Sequence, residues 1–257
     1  MKRILTALWL VPASAYCIFY APHWLFVAAI SLLALLCYRE YSRIVDNQGL
    51  SSFLFGGCIL GLLLVIPGSD WSDFILLGPI ALGIVIHGSD FKAGFASAGA
   101  FALGLLYIFG AWRCGIALHD RSAHWLFFAV ALNWAGDVAA YYTGRAIGRN
   151  KLAPAVSPGK TIEGALGGIV ASVLFGCLYL PHFLPEVSLI QAAVLSILGN
   201  IAGQTGDLAE SALKRGAGMK DSGTMLAGHG GWLDRLDSSL FSMPVVYWAL
   251  LSASRWP

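Results

Sequence analysis

AGFASAGAFALGLLYIFGAW, residues Ala93–Trp112, runs for twenty residues without a charged side chain. As a helix rising about 1.5 Å per residue it is roughly 30 Å long, the thickness of a bilayer's hydrocarbon layer. Similar runs recur at Ile4–Tyr20, Trp24–Tyr38, Ser51–Ile66, Phe74–His87, His124–Thr143, Gly164–Leu180, Val187–Asp207 and Ser239–Ala253. Together they predict an all-α polytopic membrane protein of about nine transmembrane helices, although the short, closely linked runs also permit eight or ten. Composition agrees. The 257 residues are 58% hydrophobic and 12% charged, with mean hydropathy +0.72, whereas a soluble domain carries about 25% charge.

The net charge of +2 and the lack of a long basic run do not indicate a nucleic-acid partner. Cys17, Cys37, Cys58, Cys114 and Cys177 all fall in apolar segments with no metal-ligand spacing, and read as small buried hydrophobes. Lys2-Arg3, a short apolar run and Ala13-Ser14-Ala15 imitate a cleavable signal peptide. Another apolar segment follows at once, so the first span is expected to stay uncleaved.

Lys and Arg set the orientation. With the amino terminus in the cytoplasm, Lys2, Arg3, Arg39, Arg43, Lys92, Arg145, Arg149, Lys151, Lys160, Lys214, Arg215, Lys220 and Arg235 fall inside, against Arg113, Arg121 and Arg255 outside. The Gly57/Gly61, Gly144/Gly148, Gly164/Gly168 and Gly199/Gly203 pairs mark expected close helix packing. Residues 1–123 read as scaffold helices and 124–257 as the region that carries chemistry, within one integrated membrane domain.

Charge concentrates between Asn200 and Ser239. Asn200, Gln204, Asp207, Ser211 and Lys214 form one helical stripe, with Glu210 beside it. A central Asp costs about 2.5–3.5 kcal/mol on insertion scales, so the stripe must face protein, water or ligand. It reads either as a polar helix–helix seam ending in a Glu210–Lys214 pair or as one wall of a site. Asn133, Asp137 and Tyr141 form a matching face, continued by Gly144, Arg145 and Gly148. Asp137 would lie about 9 Å inside the cytoplasmic end, as a functional carboxylate or as a partner for Arg145.

Arg145, Arg149, Lys151 and Lys160 make the next loop basic, and Ser157-Pro158 could open a helix as N-cap and first-turn proline. Gly159-Lys160-Thr161 is not a P-loop, since Pro154 stands where a glycine is needed and no strand precedes it. A phosphate-binding loop of another kind and simple positive-inside bias both remain open. In Lys220–Asp237, Gly223, Gly228, Gly230 and Gly231 allow the backbone to approach an anion. Asp221, Asp234 and Asp237 offer hard oxygen ligands of the kind Mg²⁺ takes. His229 reads as a phosphate or proton contact or as a turn residue, and Asp237 as a ligand or a helix cap. The combination suggests a metal-assisted cationic clamp on a polyphosphate.

Ser211–Arg215 (SALKR), Lys220–Gly223 (KDSG) and His229–Asp237 (HGGWLDRLD) closely resemble the signature of the phosphatidate cytidylyltransferases, or CDP-diacylglycerol synthases. Asp137–Tyr141 (DVAAY) with Gly144-Arg145, and Ser157–Gly164 (SPGKTIEG), are similar to two further family segments. The resemblance spans about Asn133 to Ser239, and earlier helices match only as hydrophobic spans. Two positions depart from the pattern. Ala227 stands where Pro or Gly is usual, and Gly159 where a second Lys precedes Lys160.

The resemblance implies that CTP and phosphatidic acid give CDP-diacylglycerol and pyrophosphate, with Mg²⁺ as cofactor, K⁺ as a second cation, and a homodimer. It implies a membrane enzyme whose site opens towards the cytoplasm, and compactness and topology favour a bacterial inner membrane over an organelle membrane. Asp207, Asp221 and Asp237 are then the expected metal ligands. Lys214, Arg215, Lys220, Asp221, His229 and Arg235 form the expected catalytic set. Asp137, Tyr141, Arg145, Ser157, Lys160, Thr161, Glu210, Ser211 and Asp234 are the expected substrate contacts. A CDP-archaeol synthase-like enzyme would share these motifs. An ion-coupled transporter would use Asp137 and the polar stripe as a pathway, against the confinement of charge to one face.

Overall fold

The computed structural model describes residues 12–66, 71–87, 90–225 and 230–253. Ala227, Gly228 and His229, and the outermost residues of the first and last runs, lie outside them. The described chain is almost entirely helical, with one two-stranded hairpin. It divides into two compact units that are discontinuous in sequence. The first comprises Met1–Arg113 and Leu213–Arg235, and the second Cys114–Ala212 and Leu236–Pro257.

In the first unit, α1 (residues 12–19), α2 (His23–Asn47), α3 (Leu54–Val65), a 3-10 turn (Trp71–Leu76), α4 (Leu77–His87) and α5 (Phe91–Gly104) follow the apolar runs. The run quoted above continues through a π-helical turn (Leu105–Gly110) into α6 (Ala111–Arg121). Asp90 caps α5 by accepting from the Lys92 and Ala93 N–H groups at 2.9 and 3.2 Å. Large rings meet glycines here: Tyr38 lies over Gly57, Phe109 over Gly61 and Tyr41 over Gly104. The tyrosine hydroxyls are satisfied inside, Tyr38 donating to the Ser52 carbonyl and Tyr41 to the Ala100 carbonyl, each at 2.7 Å. α2 continues nine residues beyond Tyr38, the expected end of that span, carrying Arg39, Glu40, Arg43 and Asp46.

In the second unit, α7 (Ala123–Ile147) and α8 (Ile162–Phe183) are joined by β1 (Lys151–Ala153) and β2 (Ser157–Thr161), and are followed by α9 (Leu189–Gly216) and α10 (Leu233–Ala253). α6, α9 and α10 each pass from one unit into the other. The strands pair antiparallel, Lys151 with Thr161 and Ala153 with Ser157. The expected helix start at Ser157-Pro158 is therefore corrected. This stretch is extended, and α8 begins after Thr161, whose hydroxyl accepts the Gly164 N–H at 3.1 Å. Glu163 in the first turn reaches back to the Arg149 and Asn150 N–H groups at 3.1 and 3.2 Å and to the Asn150 side chain at 2.8 Å. That ties the hairpin to the helix.

The expected glycine packing is present. Gly144 and Gly164 face each other where α7 crosses α8, and Gly168 lies against the Gly136 carbonyl. Outward, Ile162, Leu166, Val170, Leu174 and Leu178 form an exposed apolar stripe on α8 at four-residue spacing. His23–Asn47, Phe91–Arg121 and Ile162–Phe183 are each long and apolar enough to cross a membrane.

A side chain at position 164 would place its Cβ 2.7 Å from the Ala140 carbonyl oxygen, which belongs to a helix backbone. Gly164→Ala is expected to lower stability by about 1–3 kcal/mol. Gly99→Ala on α5, with nothing within 4 Å, should leave it unchanged or raise it by up to about 1 kcal/mol. Thermal unfolding in detergent compares the two, and equal midpoints would contradict the close crossing.

Candidate active site

In the second unit a cavity of about 450 Å³ opens among α7, the hairpin, α8 and α9. α7 contributes Asp137, Tyr141, Gly144 and Arg145, the hairpin Ser157, Gly159, Lys160 and Thr161, and α9 Gln204 and Asp207. Six of the nine expected substrate contacts, Asp137, Tyr141, Arg145, Ser157, Lys160 and Thr161, thus line one space with Asp207, one of the expected metal ligands. Lys160 Nζ stands 2.6 Å from Asp207 Oδ2, with both side chains about a third exposed. Arg145 donates to the Tyr141 hydroxyl at 3.3 Å. The Thr161 hydroxyl already accepts the Gly164 N–H, so its O–H hydrogen is what it can offer a ligand.

The stripe on α9 divides along the helix into an inner part bonded to other helices and an outer part that lines the cavity. Its inner part is a seam. The Ser172 hydroxyl donates to the Leu132 carbonyl at 2.8 Å and accepts from Asn200 Nδ2 at 2.8 Å. Gln204 Nε2 donates to Asn200 Oδ1 at 2.6 Å and to the Ala165 carbonyl at 3.0 Å. With both amide hydrogens used, Gln204 keeps its oxygen for the cavity. One turn on, Asp207 faces Lys160 and accepts weakly from the Ser211 hydroxyl at 3.4 Å. Glu210 is fully buried, and neither it nor Ser211 is among the residues lining the cavity. Gly206 lies against the Asp237 carbonyl, so α10 approaches α9 beside Asp207. Asp237 Oδ1 accepts the Ser238 N–H at 2.6 Å from within α10, which begins four residues earlier at Leu233, so the expected helix-cap role is corrected.

In the first unit the glycine-rich segment folds around carboxylates of the chain itself. Asp234 Oδ1 accepts from Lys214 Nζ at 2.5 Å, and Oδ2 accepts the Gly231 and Ser222 N–H groups at 2.8 and 3.0 Å. The Lys214 and Asp234 side chains are 11% and 7% exposed, so the pair is largely withdrawn from water. Glu40, on α2, is 2% exposed. It accepts the Ser222 hydroxyl at 2.7 Å and the Trp232 and Leu233 N–H groups at 3.1 and 2.9 Å. Gly230 adopts φ +79°, open to glycine without strain. Lys220, Asp221, Arg215 and Arg235 remain exposed, with Arg215 donating to the Met219 carbonyl at 3.3 Å.

Sequence reasoning missed Glu40 and Glu163 as organisers and counted Asp234 among the substrate contacts; one of its oxygens accepts from Lys214 of α9 and the other from N–H groups of the loop. His229 lies outside the described residues. Among the described residues no three His, Cys, Asp or Glu side chains gather as a ready-made metal cage.

A sequence model of the cytidylyltransferase family matches residues 1–253. The phosphatidate cytidylyltransferase of Synechocystis sp. (strain ATCC 27184 / PCC 6803 / Kazusa) is 32% identical over 281 aligned positions, covering 96% of this chain and 95% of the relative. That of Bacillus subtilis (strain 168) is 39% identical over 159, covering 61% and 59%. The uncharacterized protein YnbB of Escherichia coli (strain K12) is 31% identical over 242, covering 88% and 79%. The chain belongs to the cytidylyltransferase family.

Burial by itself would raise the Asp234 carboxyl. The Lys214 ammonium and the Gly231 and Ser222 N–H groups outweigh it and hold the carboxyl below its ordinary range. A carboxyl held low in the folded state stabilises the fold above its unfolded value, about pH 4. That contribution is lost as pH falls through the folded value. Asp234→Asn should therefore cost on the order of 3 kcal/mol at pH 7, because it breaks a largely buried ion pair with Lys214. The gap to wild type should narrow below about pH 4. Unfolding midpoints measured between pH 3 and 7 check both expectations, and a gap constant with pH would contradict them.

Proposed function

We propose that this protein transfers the cytidylyl group of CTP to phosphatidate, forming CDP-diacylglycerol and releasing pyrophosphate. The observation that carries the reading is the Lys160–Asp207 pair in a cavity shared with Arg145 and Asp137, in a chain of the cytidylyltransferase family. The names of the Synechocystis and Bacillus relatives supply the lipid substrate. An oxygen of the lipid phosphate attacks the α-phosphorus of CTP, the new P–O bond forms, and the bond to the β-phosphate breaks as pyrophosphate leaves. The substrate is the nucleophile, so no Ser or Cys of the protein needs to form a covalent intermediate.

The protein's part is positioning and charge neutralisation. Lys160 and Arg145 face the anionic groups from the cavity, and Asp207 holds the Lys160 ammonium there before substrate arrives. Lys214, Arg215, Lys220 and Arg235 are the remaining cations proposed to act on the triphosphate. The donor set fits a divalent cation. Asp207 faces the cavity as a hard oxygen ligand, the Asp237 backbone carbonyl lies against the neighbouring Gly206, and Mg²⁺ usually takes only one or two carboxylates, with phosphates and water completing its shell. Asp207, Asp221 and Asp237 would hold the ion. When bound, Mg²⁺ supplies charge neutralisation of the phosphates and template orientation of the displacement. A K⁺ ion as second cation and a homodimer are proposed from the family resemblance.

We propose an integral protein of a bacterial inner membrane, polytopic with about nine spans and with the site facing the cytoplasm. Support comes from the three long apolar helices, the exposed apolar stripe of α8 and the one-sided distribution of Lys and Arg.

Purified protein given phosphatidate, Mg²⁺ and each nucleoside triphosphate in turn should form pyrophosphate and liponucleotide with CTP alone, and chelation of the metal should stop both. Asp221→Asn and Asp207→Asn should each lower turnover at least about 100-fold while leaving membrane insertion intact. Near-normal turnover in either variant removes that residue from the proposed metal set. A wild-type protein inactive with every nucleotide would sink the reaction itself.

A further inference from the structure

We infer that Glu40 is a positioning residue for this reaction, setting the shape of the loop that carries Lys220 and Asp221 and the start of α10, which carries Arg235. The inference rests on the proposed reading of that loop as part of the cytidylyl-transfer machinery. Glu40 lies near the end of α2, 182 residues from Ser222 in sequence. Its carboxylate touches both ends of the loop. At one end it takes the hydroxyl of Ser222, the neighbour of Asp221, at 2.7 Å. At the other it takes the N–H groups of Trp232 and Leu233, where α10 begins, at 3.1 and 2.9 Å.

All three donors are a hydroxyl or backbone N–H groups, so the buried charge is held by directed hydrogen bonds. Two of them are first-turn N–H groups that have no partner within α10, and the positive end of that helix favours an anion there. Glu40 thus acts as an N-cap supplied from a distant helix. It decides where α10 starts, and with that the direction in which Arg235 leaves it.

The glycines on either side give the contact its second, independent support. A Cβ at Gly223 would lie 2.5 Å from Glu40 Oε1, and one at Gly231 would collide with Glu40 Oε2 and the Ser222 hydroxyl. The two loop ends can close on the carboxylate only because both positions lack side chains. Glu40 is not among the residues lining the cavity of Lys160 and Asp207, and its effect on turnover is assigned to the loop it holds.

Glu40→Gln is the informative variant, because it keeps the size of the side chain but turns one acceptor oxygen into a donor facing another donor. Ser42→Ala is its control. Ser42 is buried on the same helix and bonded to Ser52, away from the loop. Three quantities are measured for each: kcat and KM for CTP, the unfolding midpoint, and the rate of tryptic cleavage after Lys220. Glu40→Gln should lower kcat/KM on the order of 100-fold, the scale of a small misplacement of reacting groups. Its midpoint should stay close to that of Ser42→Ala, and cleavage after Lys220 should quicken several-fold. Adding Ser222→Ala to Glu40→Gln should bring little further loss, since both act through one contact.

The inference fails if Glu40→Gln turns over CTP like wild type, or if its activity falls only with the amount of folded protein as in Ser42→Ala. It also fails if the Ser222→Ala loss multiplies independently. If wild type itself lacks CTP turnover, the fault lies with the proposed reaction. Cleavage after Lys220 then decides the loop contact alone: faster cutting in Glu40→Gln upholds it, and equal cutting overturns it.

Discussion

A carboxylate removed from water must find donors, and in this protein that requirement shapes the backbone. Glu40 and Asp234, withdrawn from water, and Glu163, nearer the surface, each accept from main-chain N–H groups. Each fixes a segment with no room for regular structure of its own. Glu163 fastens the hairpin between α7 and α8, while Glu40 and Asp234 gather the glycine-rich segment before α10. Leaving a buried N–H or carboxylate unmatched would cost about 1–3 kcal/mol or more, so these loops have few alternatives. The glycines follow from the same constraint, since a backbone must come within hydrogen-bond reach of a side chain already in place.

The cavity follows a related logic with mobile charge. Lys160 and Asp207 are paired but a third exposed, and a pair so placed is held weakly by water's standards. It can be opened by a ligand that offers the ammonium phosphate oxygens. Beneath it the Leu132–Ser172–Asn200–Gln204 relay is directional, every donor aimed at a defined acceptor. Polar groups at that depth are therefore consumed by the protein, and the cavity floor keeps its form without substrate. The contrast between a soft rim and a fixed floor suits a site that must receive a highly charged molecule and hold it in one orientation.

Much of this was legible before any coordinates. The apolar runs located the helices because hydrophobic length and internal backbone hydrogen bonding are local properties. Asp137 and Asp207 were singled out as polar groups in costly places, and Arg145, Ser157, Lys160 and Thr161 by a basic loop and a family resemblance; all six line one cavity. The hairpin was not legible. Ser157-Pro158 carries a good helix-start signal, but Thr161 caps α8 instead and the stretch before it pairs with Lys151–Ala153. Glu40 was invisible for a different reason. It stands between two arginines at the end of a span, as an ordinary solvated charge would, and its partners lie beyond the reach of any periodicity. Gly223, Gly230 and Gly231 were read correctly as places of close approach to an anion, but the anions are Glu40 and Asp234.

By itself the sequence determined where the chain is helical and which helices are apolar enough for a bilayer. Those properties depend on the balance of side-chain transfer and backbone satisfaction within a few turns. Only the tertiary structure decided that Asp207 faces Lys160, that Lys214 answers Asp234, and that Glu40 governs the start of α10. Each of those is a match between one charged group and donors far away in sequence, chosen by which partner the fold brings within 3 Å once water has been excluded.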